Sequence, residues 1–114
     1  MIVPAGELVK SNSLAGTALL VHGGPTIVVA IQAVNNTGGD AYIQLFDFAA
    51  ASSVTLGTTV SDWTVISDFG VGTLSTTDGL PTHGLLFKNG VVAASTTTAT
   101  GLTGASQHLR LVII

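Results

Sequence analysis

Three histidines, His22, His83 and His108, are the side chains of this sequence whose ordinary titration falls near neutrality. None has a second His, Asp or Glu within the two-to-four-residue spacing of a metal site, so each reads as a polar residue at a strand end. Serine, histidine and aspartate all occur, but no G-x-S-x-G elbow is present to hold a serine in the strained, exposed turn that nucleophilic attack requires. Paired carboxylates for glycoside hydrolysis would have to come from Glu7 and five aspartates. Asp40, Asp62, Asp68 and Asp78 stand beside turns, where capping backbone N–H groups is the simpler role. Gly70-Val71-Gly72 and the stretch 101–104 are glycine-rich, yet neither lies between a strand and a helix, so neither makes a phosphate cradle. No enzymatic activity, cofactor or metal is expected.

The elements that would position any such group are strands. No window places apolar residues at three- and four-residue intervals opposite charged ones, and β-branched residues and glycine run throughout. Strands are expected over 5–14, 18–21, 26–34, 41–48, 62–69, 71–76, 84–88, 91–98 and 107–114. They are separated by Gly23-Gly24-Pro25, by the run 35–40, by an Ala/Ser/Thr-rich loop over 49–60, and by Asp78-Gly79-Leu80-Pro81. Lys88-Asn89-Gly90-Val91 predicts a tight hairpin joining 84–88 to 91–98, because Asn-Gly supplies the two positive-φ residues of a type I′ turn. In the last strand Leu109, Leu111 and Ile113 alternate inward against His108, Arg110 and Val112 outward. Short strands at intervals of about 8 to 12 residues predict an all-β antiparallel sandwich or jelly roll of about eight strands, with a small closed barrel as the alternative. The whole chain, 1–114, reads as a single domain.

Composition narrows the function. Hydrophobic residues make up 46% of the chain and charged residues 8%, with a formal net charge of −3. A freestanding domain usually carries about 25% charged residues. A surface this poor in charge suits contact with other subunits better than contact with water, because lysine and glutamate are depleted at interfaces. An oligomer, most simply a homotrimer, is therefore expected. Lys10, Lys88 and Arg110 are scattered and form no stripe that could neutralise phosphates, so nucleic-acid binding is not expected. The absence of cysteine leaves the core and neighbouring subunits to hold the fold. Apolar runs break at Gln32, at Gly23-Gly24 or at Asn35-Asn36, well short of a membrane span of about 20 residues. The run 14–21 reads as strand and not as a signal-peptide core, since Glu7 spoils a basic leader. A soluble chain without membrane association or targeting is expected. Asn35-Asn36-Thr37 matches the N-glycosylation pattern, which a chain that meets no glycosylation machinery leaves unused.

The segment 26–34 is the clearest strand, and both of its faces are apolar. Ile27, Val29, Ile31 and Ala33 share one face; Val28, Ala30, Gln32 and Val34 share the other. The second set is expected to pack against a neighbouring subunit or a covering segment, because a bare apolar face without flanking Lys or Glu invites aggregation. Ile2, Val3 and Pro4 belong to a leading segment, 1–5, that makes either an arm reaching a neighbour or an edge strand of its own domain.

Tyr42-Ile-Gln-Leu-Phe-Asp47, the Ser/Thr-rich loop after it, Gly84-Leu-Leu-Phe-Lys-Asn-Gly-Val-Val92 and Thr96-Thr-Thr98 together resemble small β-sandwich virion proteins of tailed bacteriophages, over about residues 26–114. The resemblance implies a structural protein of the virion, assembled in the host cytoplasm. It would decorate or cement the capsid by clamping adjacent subunits of the major capsid protein, commonly as a trimer on a local threefold axis. The alternative within the resemblance is a fibre, neck or baseplate module that binds a receptor or glycan. An exposed aromatic platform would mark that alternative, whereas core packing is the simpler role for Tyr42, Phe46, Phe48, Trp63, Phe69 and Phe87.

Overall fold

The computed structural model describes residues 6–14, 17–35, 39–67, 73–77, 80–81, 83–105 and 107–114. Among the described residues nine strands follow one another: β1 (Glu7–Leu14), β2 (Leu19–Gly23), β3 (Thr26–Asn35), β4 (Ala41–Asp47), β5 (Trp63–Ser67), β6 (Thr73–Thr77), β7 (Leu85–Phe87), β8 (Gly90–Thr96) and β9 (Gln107–Ile113). Helical structure among the described residues is limited to a single 3-10 turn, Ala51–Ser53. Every pairing among these described strands is antiparallel.

One sheet runs β1-β9-β3-β6 with β7 also on β3, and the other runs β2-β8-β4-β5. β6 pairs with Ile31 to Asn35, and β7 with Thr26 to Val28, so the two short strands share one lane along β3. The result is eight lanes. The chain's first half is laid antiparallel against its second, β1 on β9, β2 on β8, β3 on β6 and β7, β4 on β5, and the doubled ribbon is rolled into two facing sheets. This is the jelly-roll winding, and the all-β sandwich read from the strand spacing is the fold observed.

The core fills the space between the sheets. β3 contributes Val28, Ile31 and Ala33, β9 contributes Leu109, Leu111 and Ile113, and Phe87 joins them from β7; Ile43, Leu45, Val91 and Ala93 face them from the second sheet. At one end of this core the Gln107 amide donates to the Ser95 hydroxyl at 2.6 Å, tying β9 to β8 across the two sheets. The buried stretch of β8, Gly90 to Thr96, is covered on both faces. Its Val91 and Ala93 belong to the main core, while Val92 and Ala94 form a second small cluster with Phe46 on the sheet's outer side.

That second cluster exists because the loops close over it. Phe48, Ala51, Val54 and Leu56, from the segment between β4 and β5, pack on Phe46, Val92 and Ala94. The segment is held in place by Asp62 N–H donating to Leu45 O and by Thr59 N–H donating to Thr55 O. The segment between β8 and β9 covers the far part: the Gln44 amide donates to Thr96 Oγ1 at 2.8 Å and to Gly101 O at 3.3 Å. Truncating Phe46 to Ala is expected to cost about 3–5 kcal/mol, because a fully buried ring leaves a cavity that the sheet cannot collapse into. Amide hydrogen exchange should show the loss at Val54 and Thr59 in the covering segment before it reaches β9. Uniform loss of protection throughout the chain would show that the cover is not a separate packing unit.

Two local expectations need correction. Residues 84–88 and 91–98 do not form a hairpin, since β7 pairs with β3 in the first sheet while β8 pairs with β2 and β4 in the second. Lys88 and Asn89 carry the chain from one sheet to the other. Asn89 has no positive φ, as a type I′ turn would require. The Asp47 carboxylate instead accepts the backbone N–H groups of Lys88 (3.1 Å) and Asn89 (2.8 Å), and Asn89 O accepts from Gly24 N–H. Contacts with Asp47 and Gly24, both distant in sequence, thus set the path of this link.

The second correction concerns the faces of β3. The register against β9 shifts between Val28 and Ala30, which oppose Ile113 and Val112, so Val29 is an extra, bulged residue. One inserted residue exchanges the faces. After the bulge Ile31 and Ala33 point inward and Ala30, Gln32 and Val34 outward, as the alternation suggests. Before it, Val28 lies in the core with 0% exposure, opposite to its expected placement, and Ile27 lies on the half-exposed outer side.

Candidate interaction surface

The side chains with chemical potential serve turns and sheet ends. The Thr26 hydroxyl donates to Gly24 O at 2.9 Å, which commits its one hydrogen. His22 Nδ1, 2.8 Å from the same oxygen, must therefore be the donor there. The histidine caps the β2–β3 turn. His83 is exposed, and His108 sits half-buried on the outer side of β9. The Asp62 carboxylate accepts the N–H of Asp47 at 2.7 Å, and Asp47 in turn ties down the β7–β8 crossing. Asp68 and Asp78 lie outside the described residues, as do Gly70-Val71-Gly72. Among the described residues no three His, Cys, Asp or Glu side chains gather as a metal site would require.

Asn35 of the glycosylation pattern is fully buried, and its amide donates to Gly39 O at 3.0 Å, so a glycan has no access to it in the folded domain. Trp63 Nε1 and Gln107 Oε1 are buried without a hydrogen-bond partner among the described residues. Both sit at the rim of the core, Trp63 opposite Leu45 on the edge strand β5 and Gln107 between Asn35 and Leu14.

The residues expected to meet a partner are separated by the structure. Ile2, Val3 and Pro4 lie outside the described residues. Val28 is in the core. Ala30 is exposed, and Gln32 and Val34 are half-buried on the outer face of the five-stranded sheet. Register builds the rest of that face. Val112 stands between Leu8 and Ala30, Arg110 between Lys10 and Gln32, and His108 beside Val34. Nearer the β2–β3 turn, Ile114 exchanges both backbone hydrogen bonds with Ile27, and Ile27 pairs with Leu86. Leu8 is 58% exposed, Leu86 56% and Ile114 44%.

Lys10, Leu8 and Leu86 are absent from the sequence-based set of contact residues. Period-two alternation places Arg110 and Val112 outward, but that Lys10 faces Arg110 is a matter of register between strands at opposite ends of the chain. No helix among the described residues is long and apolar enough to cross a membrane. Comparison with protein-family models, with curated proteins and with solved structures finds no match.

Proposed function

We propose that the chain is a non-enzymatic structural subunit of a phage virion, a capsid decoration or cement protein that clamps neighbouring subunits of the major capsid protein, acting as a homotrimer. The observation that supports this reading is the amount of aliphatic surface the sandwich leaves exposed. Leu8, Leu86 and Ile114 are exposed together on the outer side of the five-stranded sheet, while on the four-stranded sheet the loops cover Phe46, Val92 and Ala94 but leave Leu20 and Ile66 exposed. Exposed aliphatic groups gathered on one face mark a contact surface. A rigid clip added in many copies stabilises a pressurised shell by burying such a face across subunit boundaries, and it needs no catalytic group.

The fibre or baseplate reading receives less support. The described aromatic rings Tyr42, Phe46, Phe48, Trp63 and Phe87 are buried or half-buried and spend their area on packing, not on a sugar platform. Cryo-electron microscopy of purified particles, with mass spectrometry of their proteins, tests the proposal. The expected result is threefold clusters of this jelly roll at fixed lattice positions, bridging capsid subunits. Particles that lack the chain, or isolated copies of it together with a monomer in light scattering, would overturn it.

A further inference from the structure

The open face of the five-stranded sheet has a second property besides its aliphatic groups. Lys10 and Arg110 are direct cross-strand partners on it, with Gln32 next in the same row. Like charges placed directly opposite on adjacent strands repel, an arrangement that an isolated domain gains nothing by keeping. These are two of the three Lys and Arg side chains in a chain of formal net charge −3. No Asp or Glu occupies a described outward position of this sheet, so the countercharge is not supplied from within the face. Leu8 and Val112 flank the cationic row on one side, and beyond them lie Ile114, Ile27 and Leu86.

We infer that this face docks a different protein, whose contact surface is aliphatic and sets carboxylates against Lys10 and Arg110. The inference rests on the reading of the chain as a subunit of a larger assembly, whichever assembly that is. A second copy does not fit as the occupant. Among the described residues its own outer face sets no Asp or Glu side chain against the row, and two such faces centred on the row would bring four cations together, a like-charge contact that interfaces avoid. A membrane fits less well, because recognition of anionic lipid takes clusters of about four to eight basic residues, and here two stand on a chain of negative net charge. An acidic and apolar protein surface satisfies both halves of the face at once: apolar contact provides the buried area, and the two cations select the partner and its register.

The test uses the isotope-labelled full chain and two short synthetic peptides, one alternating Leu with Glu and the other alternating Leu with Lys. The acidic peptide is expected to shift the amide resonances of Leu8, Lys10, Ala30, Arg110 and Val112, and the basic peptide to leave them in place. K10E/R110E should reverse that preference, and K10Q/R110Q should weaken acidic-peptide binding by about tenfold. K10Q/R110Q should melt no lower than the parent chain, since it removes a repulsion at exposed or half-buried positions, and K10E/R110E, which exchanges one like-charge pair for another, should melt close to it. Equal response to both peptides, shifts confined to the loops over the other sheet, or an unaltered preference in K10E/R110E would overturn the inference. So would tighter binding to phosphatidylglycerol vesicles than to the acidic peptide, or a face-to-face dimer that protects Leu8 and Leu86. Absence of the chain from virions, with the peptide result intact, would remove the phage assignment and leave the docking face standing.

Discussion

Val28→Asp is expected to abolish the folded state of the chain, while Val34→Asp leaves it folded with stability changed by less than about 1 kcal/mol. The two valines lie on the same strand, six positions apart, and simple alternation would give them the same face. Val28 is fully buried beside Phe87, Leu85 and Ile113, whereas Val34 is half-buried on the outer side next to His108. An aspartate at 28 forfeits the valine's burial, worth about 1.5–3 kcal/mol, and adds a desolvation penalty of several kcal/mol for a carboxylate with no partner. Their sum is comparable to the whole stability of a small domain, about 5–15 kcal/mol. Urea unfolding followed by tryptophan fluorescence reads both variants, since Trp63 packs against this core. A cooperative transition near the parent midpoint for Val28→Asp would reject the bulge at Val29. The particle assay then becomes informative for Val34→Asp, whose assembly can be tested in a chain that still folds.

The second large effect belongs to Gly90, where β8 begins. Its φ is +150°, and a Cβ there would lie 2.6 Å from Phe48 O and 2.8 Å from His22 O, two backbone atoms on opposite sides of the site. Backbone on both sides cannot yield as a flexible side chain would, so Gly90→Val is expected to cost about 3–5 kcal/mol from steric overlap and backbone strain together. Gly24 makes the control. Its φ is +87° with nothing within 4 Å of an added Cβ, so Gly24→Ala should lose only the conformational term of about 1 kcal/mol. The difference between their urea midpoints isolates the close approach. If Gly90→Val costs no more than Gly24→Ala, the packing of Phe48 and His22 against this residue is not as described. The glycine that the Asn-Gly signal singles out is thus essential, but for the approach of two neighbouring segments and not for a hairpin turn.

The existence and extent of the strands were legible in the sequence because alternation is a local property. The last strand, expected over 107–114, is observed as Gln107–Ile113 with Leu109, Leu111 and Ile113 inward, and 41–48 is observed as Ala41–Asp47. Turn chemistry was legible at the Gly23-Gly24-Pro25 break, where Gly24 takes a positive φ, whereas the N–H that Asp62 accepts is that of the distant Asp47, a contact between segments and not a local turn cap. Of the expected contact residues, Ala30, Gln32 and Val34 fall on the open face, while Val28 does not. The error has one cause, a single inserted residue at Val29, and no local signal distinguishes a bulged Val-Val-Ala from a regular one.

What the sequence determined by itself is the class of structure. Dense β-branched and apolar alternation with glycine at the breaks dictates short antiparallel strands that bury one another. Tertiary structure alone decided which strands share a sheet, and with it everything that depends on two distant segments meeting. The Lys88-Asn89 link crosses between sheets because Asp47, forty-odd residues earlier, takes its N–H groups. Phe46, Val92 and Ala94 on the outer side of β4 and β8 are buried because Phe48, Ala51, Val54 and Leu56 fold back upon them. Lys10 meets Arg110 because β1 and β9 pair with a register that local sequence does not encode. Hydrogen-bonded ladders form between whichever strands the core brings together, and the free energy that chooses among them is the burial of both sheets at once, a quantity that no window along the chain contains.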